Sequence, residues 1–209
     1  MNYQLKLEQI IDQVMKNDKR PSLLLHACCG PCSSYCLEYL SNYFDITILY
    51  YNPNIYPDAE YHRRLNELKV FITKIPFSHK IDLLEVNYNP DEYYQTVKGL
   101  EHLGERSQRC YACYKLRMEE CVKIALERNF DYFTTTLSIS PYKDAKWINE
   151  IGEELEKKYK VKYLYADFKK KNGFKRSIEL SKEYNMYRQD YCGCVYSKRD
   201  SIKRKESKI

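Results

Sequence analysis

Short apolar runs that alternate with longer amphipathic stretches are the feature that most constrains the fold of this chain. Five apolar runs predict strands at residues 22–27, 45–52, 80–86, 132–138 and 161–167. The amphipathic stretches predict helices at residues 2–17, 32–43, 57–73, 90–103, 110–129, 143–159 and 174–186. Because strands that are separated by helices pair through crossover connections, the pattern predicts a three-layer α/β fold with a mostly parallel sheet flanked by helices.

Ligands of such folds collect where the carboxyl ends of the strands meet the next helix. The first predicted strand ends in the sequence HACCGPCSSYC, which places Cys28, Cys29, Cys32 and Cys36 within nine positions. The six glycines of the chain are scattered and form neither GxGxxG nor a Walker loop, so the turn is not built to cradle phosphate. Its thiols instead favour a soft metal or an iron–sulfur cluster.

A second cysteine group, Cys110 and Cys113, forms a CxxC at the predicted start of a helix. A spacing of three residues brings both sulfurs to one helix face. The helix dipole and the nearby Arg106, Arg109 and Lys115 are expected to lower the thiol pKa values and to favour thiolate.

The two groups together supply the soft ligands of a [4Fe–4S] cluster or of a zinc site held by four cysteines. Gly30 and Pro31 give the turn in which adjacent cysteines can converge. We expect Cys28, Cys29, Cys110 and Cys113 to form one such cluster. Cys32 lies close enough to reach the cluster or a second metal.

Other polar residues near these motifs have simpler interpretations. Cys36 and Cys121 lie within predicted helices and are expected in the core. His26 either donates a proton or ligates metal, or it forms hydrogen bonds in the wall of the site. Asp58 and Asp144 precede predicted helices and are expected to be N-caps.

The third cysteine group, Cys192 and Cys194, is separated by a single glycine in YCGCVYS. A disulfide across so short a span is strained and easily reduced, which predicts a redox-active pair. The alternatives are an additional metal-binding pair and a chance near-repeat.

Charge and cysteine usage indicate the partners and the compartment. The net charge is +6, and two basic segments, residues 169–176 and 198–209, favour a polyanion such as nucleic acid, although a solvated lysine-rich tail explains the second equally well. We expect one domain over residues 1–197 and a mobile basic tail over residues 198–209. Nine cysteines without a signal peptide or a membrane-length apolar stretch indicate metal or redox chemistry in the cytoplasm.

Four motifs, HACCGPCS, RCYACYKLRMEE, TTTLSISPYKD and YRQDYCGCVYS, together resemble the cobalamin-independent epoxyqueuosine reductases, the QueH family. The resemblance runs from about residue 22 to residue 197. It implies a Rossmann-like fold and the reduction of epoxyqueuosine to queuosine at the wobble position of tRNA.

The resemblance also implies roles for individual residues. Cys28, Cys29, Cys110 and Cys113 correspond to the ligands of a [4Fe–4S] cluster. Cys192 and Cys194 correspond to a redox-active disulfide pair. A second metal ion, expected to be iron, is placed beside Cys32, and Cys32 is thereby expected to be catalytic together with Cys192 and Cys194. The implied partners are tRNA carrying epoxyqueuosine and an electron donor, with no membrane.

Two other functions fit parts of the sequence. An ATP-using tRNA-modifying enzyme of related architecture, such as a thiolase with a cluster, would need a phosphate-binding loop. A non-catalytic zinc module that binds RNA would hold zinc in place of iron.

Overall fold

The computed structural model describes residues 2–16, 19–77 and 79–207, which form a parallel five-stranded sheet between two layers of helices. The strands are β1 (Ser22–His26), β2 (Asp45–Tyr50), β3 (Asp82–Glu85), β4 (Tyr132–Thr135) and β5 (Lys162–Tyr163). The sheet order is β3-β2-β1-β4-β5, and every pairing is parallel. The predicted fold class is therefore confirmed.

Eight α-helices occur in the described residues. They are α1 (Tyr3–Val14), α2 (Gly30–Leu40), α3 (Asp58–Lys74), α4 (Pro90–Thr96), α5 (Gln108–Glu127), α6 (Ala145–Tyr159), α7 (Gly173–Glu183) and α8 (Val195–Glu206), and a 3₁₀ turn covers Thr136–Ile139.

Alternate residues of β1 enter two separate cores because successive strand side chains point to opposite faces of a sheet. Leu23 and Leu25 pack with apolar residues of α1, α2 and α3 on one face. Leu24 packs with residues of α5 and α6 on the other. The central strand is thus buried on both sides, as expected for a parallel sheet.

Successive strands are added on one side of β1 up to β3 and on its other side from β4 onward. The chain leaves β1 for β2 on one side of the sheet, whereas β4 pairs with β1 on the other. A crevice forms at such a switch point, beyond the carboxyl ends of β1 and β4, and it is where open α/β sheets bind ligands. The cysteine-rich turn begins two residues after β1 ends.

Several element boundaries differ from the sequence prediction. The helix predicted to reach residue 103 ends at Thr96, because the chain turns at Gly99 with φ of +83°. The strand predicted to reach residue 138 becomes a 3₁₀ turn after Thr135, whose hydroxyl accepts from the Leu137 N–H at 3.2 Å.

The basic segment at the end of the chain is helical where it is described. Helix α8 runs from Val195 to Glu206 and crosses residue 197, the proposed domain limit. Residues 208 and 209 of the predicted tail lie outside the described residues. Within the described part of the chain, no helix is long and apolar enough to cross a membrane.

Candidate metal centre

The turn after β1 gathers three sulfurs. The Sγ atoms of Cys28, Cys29 and Cys32 all lie within 4.8 Å of one another. Cys29 is the N-cap of α2, and its sulfur accepts the Cys32 backbone N–H at 3.4 Å. Thiolates around one tetrahedral zinc ion, with Zn–S bonds of about 2.3 Å, have a similar spacing. The three residues can therefore hold a metal ion.

Helix α5 brings the second cysteine group to the same place. Cys28, Cys32, Cys110 and Cys192 line one cavity of about 620 Å³. Cys113 and Cys194, together with Cys110 and Cys192, line a neighbouring cavity of about 20 Å³. All three cysteine groups singled out in the sequence thus meet at the carboxyl edge of the sheet, although Cys110 and Cys113 lie outside the 4.8 Å group.

Three buried cations surround the sulfurs. Arg64 and Arg117 are each 1% exposed and Lys143 is 9% exposed. Burial opposes the charged form, but the sulfurs of Cys192, Cys28 and Cys32 raise the pKa of Lys143, and those of Cys113, Cys192 and Cys28 raise the pKa of Arg117.

Two of the three cations, Arg117 and Lys143, have sulfur rather than carboxylate counter-charges. Arg64 is paired with Glu60 at 2.7 Å. Among the described residues, no carboxylate lies within 4.0 Å of Arg117 or Lys143, and Nη2 of Arg117 has no hydrogen-bond partner. Buried charges are costly unless they are compensated. A thiolate-bound metal or iron–sulfur cluster, which carries negative charge, fits this donor set and its surroundings.

The expected lowering of the CxxC pKa values is wrong. Burial raises the pKa of the Cys110 thiol and raises that of Cys113 to about 12, with Arg117 acting in the opposite direction. Of the cations expected to help, Lys115 pairs with Glu154 at 2.6 Å. Arg106 and Arg109 each line a cavity with Cys110, but burial outweighs their effect.

Within the first group the pKa values diverge. Hydrogen bonds from the neighbouring thiols of Cys29 and Cys32 lower the pKa of Cys28 well below its usual value. Burial raises the pKa of Cys29 to about 12. Hydrogen bonding with Cys28 and Cys29 raises the pKa of Cys32. The hydrogen bonds among the three thiols, together with burial at Cys29, therefore favour the ionised form at Cys28 and the protonated form at Cys29 and Cys32.

Gln189 connects the first cysteine group to the third. Its Nε2 donates to the Cys29 sulfur at 3.0 Å, and its Oε1 is buried without a hydrogen-bond partner. Gln189 lies three residues before Cys192, so the segment that carries the third group also contacts the sulfur of a candidate ligand.

The turn that carries Cys192 and Cys194 is fixed from several sides. Gly193 has φ of +138°, its carbonyl accepts the Tyr56 N–H at 2.8 Å, and Arg64 donates Nη1 to the Cys192 carbonyl at 3.1 Å. Cys194 is the N-cap of α8, and its sulfur accepts the Ser197 N–H at 3.4 Å. Cys194 is buried, whereas Cys192 is partly exposed in the larger cavity.

The remaining candidates occupy structural positions. Cys36 and Cys121 are fully buried, as predicted. His26 is fully buried, accepts from or donates to the Thr135 hydroxyl at 2.8 Å and lies 3.1 Å from the Tyr51 carbonyl, and burial lowers its pKa to about 4. Both ring nitrogens have hydrogen-bonding partners and His26 lines neither cavity, so it is a buried structural residue behind the site.

The two aspartates expected to be N-caps have different outcomes. Asp144 caps α6 as predicted, accepting the N–H groups of Lys146 and Trp147. Asp58 is instead the first residue of α3, after the N-cap Pro57.

Sequence reasoning missed the four residues that surround the sulfurs. Arg64, Arg117, Lys143 and Gln189 come from four separate segments, and only the fold brings them together. Two weak signals existed: Arg117 is one helical turn after Cys113, and Gln189 precedes the CxC closely.

The fold and the site define a doubly wound α/β protein with a cysteine-rich, cation-lined cavity at its topological switch point. Within that class, the family model for epoxyqueuosine reductase QueH matches residues 23–200, and the chain belongs to this family.

Curated relatives agree with the family match. A Streptococcus pyogenes protein named epoxyqueuosine reductase QueH is 43% identical over 199 residues, covering 94% of this chain and 78% of the relative. A relative of the same name from Staphylococcus epidermidis is 43% identical, over 94% of this chain and 84% of its own length. A third, from Thermotoga maritima, is 35% identical over 84% of this chain and 90% of its own length.

Proposed function

We propose that this chain reduces the epoxide of epoxyqueuosine, at the wobble position of tRNA, to the alkene of queuosine. The observation that carries the proposal is the convergence of three cysteine groups on one cation-lined cavity in a member of the QueH family. The proposed partners are tRNA and an external electron donor, and the proposed location is the cytoplasm.

The proposed ligands of a [4Fe–4S] cluster are Cys28, Cys29, Cys110 and Cys113, with a second metal ion, expected to be iron, beside Cys32. When bound, these groups supply single electrons and a Lewis acid for the epoxide oxygen. The soft donors and the buried Arg117 and Lys143, which offset thiolate charge, support this assignment.

Cys192 and Cys194 are proposed as the redox pair. Converting an epoxide to an alkene and water takes two electrons and two protons. Oxidation of a dithiol to a disulfide releases the same two electrons and two protons, so the reaction balances, and the external donor then reduces the disulfide. Partial exposure of Cys192 in the cavity supports its role as the thiol that the donor reaches.

The cavity is large enough for a nucleoside. Its volume of about 620 Å³ falls within the usual range for small-molecule sites. A wobble nucleoside that is turned out of the anticodon loop would enter it with its reacting carbons toward Cys28 and Cys32, while the tRNA backbone stays outside.

The deciding experiment uses protein purified without oxygen. Iron and acid-labile sulfide of about four each per chain are expected from the cluster, with iron rising further if the second site is filled. With a chemical reductant and tRNA that carries epoxyqueuosine, the nucleoside digest should contain queuosine. Protein that holds its cluster but yields no queuosine would defeat the proposal.

Variants separate the proposed roles. Cys192→Ser should keep the brown colour but lose turnover with a dithiol donor, whereas Cys113→Ser should lose the colour. Cys121→Ala, a buried cysteine outside both cavities, is the matched control and should keep both. Colourless protein with stoichiometric zinc would favour the zinc-module alternative, and ATP consumption would favour the thiolase alternative.

A further inference from the structure

The mouth of the larger cavity carries an unusually exposed aromatic residue. Tyr142 is 72% exposed, the highest value among the large hydrophobic side chains of the described residues, and it lines the cavity. A single exposed apolar side chain is ordinary on a protein surface. The loop that presents Tyr142 is, however, held by an arginine.

Arg106 braces the loop that presents Tyr142. Its Nη2 donates to the Pro141 carbonyl at 3.1 Å and its Nε donates to the Tyr142 carbonyl at 3.3 Å, with the guanidinium 6.0 Å from the Tyr142 ring centre. Arg106 itself has φ of +62°, a left-handed conformation that non-glycine residues rarely adopt and that clusters at functional sites. Because the backbone that presents Tyr142 is already held, less ordering of the loop is needed when a ligand stacks on the ring.

The mouth is positively charged. Four cations and two carboxylates line the cavity: Arg106, Lys143, Arg188 and Arg204, with Glu105 and Asp190. Both carboxylates are occupied, because Glu105 contacts Arg204 at 3.3 Å and Asp190 contacts Lys205. Among the described residues, Arg106 and Arg188 bond only to carbonyl and hydroxyl oxygens, so their charges are not neutralised.

Helix α8 extends this charge away from the cavity. Its last turn contains Lys203, Arg204 and Lys205, and Arg204 reaches the cavity. Arg204 and Lys205 are paired with Glu105 and Asp190, and Lys203 is the cation of this turn for which the described residues show no ion pair. A phosphate backbone that runs along α8 would therefore meet Lys203 on its way to the mouth.

We infer that the cavity mouth docks an unpaired RNA loop, with Tyr142 stacking on the base next to the nucleoside that enters the cavity and Arg106 facing a phosphate. The inference rests on the proposed function and names the surface that function would use. An exposed ring beside unneutralised cations suits single-stranded RNA, because unpaired bases offer a face for stacking whereas duplex bases do not. Because Tyr142 lies at the rim of the cavity, a base stacked on it would place the neighbouring nucleoside over the cysteines.

The test measures RNA binding without any chemistry. Fluorescence anisotropy of the full-length, anaerobically purified protein is compared for a labelled RNA hairpin with an unpaired loop and for a blunt duplex of the same stem. The wild type should bind the hairpin more tightly. Tyr142→Ala should weaken hairpin binding about tenfold, because the stacking on one unpaired base is lost, while leaving duplex binding unchanged. Tyr142→Phe should restore hairpin binding.

Charge variants test the second half of the inference. Arg106→Gln should weaken hairpin binding and reduce the slope of log affinity against log salt by about 1, the value expected for one phosphate contact. Arg128→Gln is the matched control, because Arg128 is exposed at the opposite end of the 20-residue helix α5, and it should change nothing.

The outcomes are separable from those of the proposed function. Equal hairpin affinity of Tyr142→Ala and wild type, or an equal loss for hairpin and duplex, overturns the docking surface even if queuosine is formed. Lack of any hairpin preference in the wild type overturns it as well. Selective loss in Tyr142→Ala supports it even where turnover fails.

Discussion

The substitution Gly193→Ala tests whether the turn between Cys192 and Cys194 depends on glycine. The backbone at Gly193 has φ of +138°, where an L-residue is strained by about 1–3 kcal/mol. An added Cβ would lie 3.2 Å from Nη1 of Arg64 and 3.2 Å from Cγ1 of Ile55. Arg64 is buried, and its Nη1 holds the Cys192 carbonyl, so it cannot move without weakening that bond.

The net effect can be worked from these contributions. Strain of about 2 kcal/mol and a weakened charged hydrogen bond of about 1 kcal/mol oppose the variant. The lower entropy of unfolded alanine offsets about 0.4–1 kcal/mol. The free energy of unfolding should therefore fall by about 2 kcal/mol. With a denaturant slope of about 2 kcal/mol per M, the urea midpoint should drop by about 1 M.

Two other glycines serve as controls in the same urea titration, followed by circular dichroism on metal-free, reduced protein. Gly104 lies in open space, and Gly104→Ala should leave the midpoint unchanged or raise it slightly. Gly99 also lies in open space but has φ of +83°, so Gly99→Ala measures backbone strain, less the same entropy offset, without any clash. If the urea midpoint of Gly193→Ala equals that of Gly104→Ala, the turn does not depend on glycine and the reasoning is refuted. If it equals that of Gly99→Ala, backbone strain explains the whole loss and the clash with Arg64 contributes nothing.

Three further predictions concern the sulfurs. Gln189→Leu removes the N–H donor that lies 3.0 Å from the Cys29 sulfur. Because a hydrogen bond to a ligand sulfur favours the more negative, reduced state, the midpoint potential of the metal-loaded protein should fall in an optical redox titration. An unchanged potential would exclude Cys29 as a ligand whose hydrogen bond tunes the centre. The cobalt(II) affinity of the metal-free protein should rise with pH, because burial raises the pKa of the Cys29 thiol to about 12 and this thiol must lose its proton to bind metal. An absorbance titration should show an increase in affinity of about tenfold per pH unit for each proton released. An affinity that does not change with pH would contradict this prediction. Brief iodoacetamide treatment of the native, metal-free protein should alkylate the partly exposed Cys192 but neither Cys36 nor Cys121, as read by peptide mass spectrometry, and early labelling of Cys121 would place it outside the core.

The sequence was sufficient for the order of the layers but not for every boundary. Helix α3 was predicted within one residue at each end, because Pro57 precedes it and an apolar periodicity runs through it. The run of threonines after Phe133 reads as strand, yet the Thr135 hydroxyl turns the chain into a 3₁₀ turn. Helix α8 has little apolar periodicity to signal it, and its clearest anchor is the Cys194 cap.

The candidate site divides in the same way. Cysteine spacing within one segment was visible in the sequence, and the three groups do meet at one edge of the sheet. The direction of the Cys110 and Cys113 pKa shifts was not predictable, because it depends on burial, which outweighs the helix dipole. Arg117 and Lys143 could not be assigned to the site from the sequence, because they become counter-charges for the sulfurs only when the fold buries them.

The two cysteine-bearing helices α2 and α5 pack against opposite faces of the sheet. A prosthetic group held by both Cys29, the N-cap of α2, and Cys113 of α5 would connect the two outer layers of the molecule. The thermal stability of the protein would then depend on whether the group is bound. A group that binds only the folded chain, at a thousandfold excess over its dissociation constant, adds about 4 kcal/mol to the free energy of unfolding. The melting transition measured in a crude extract would then report what fraction of the protein has its metal or cluster bound.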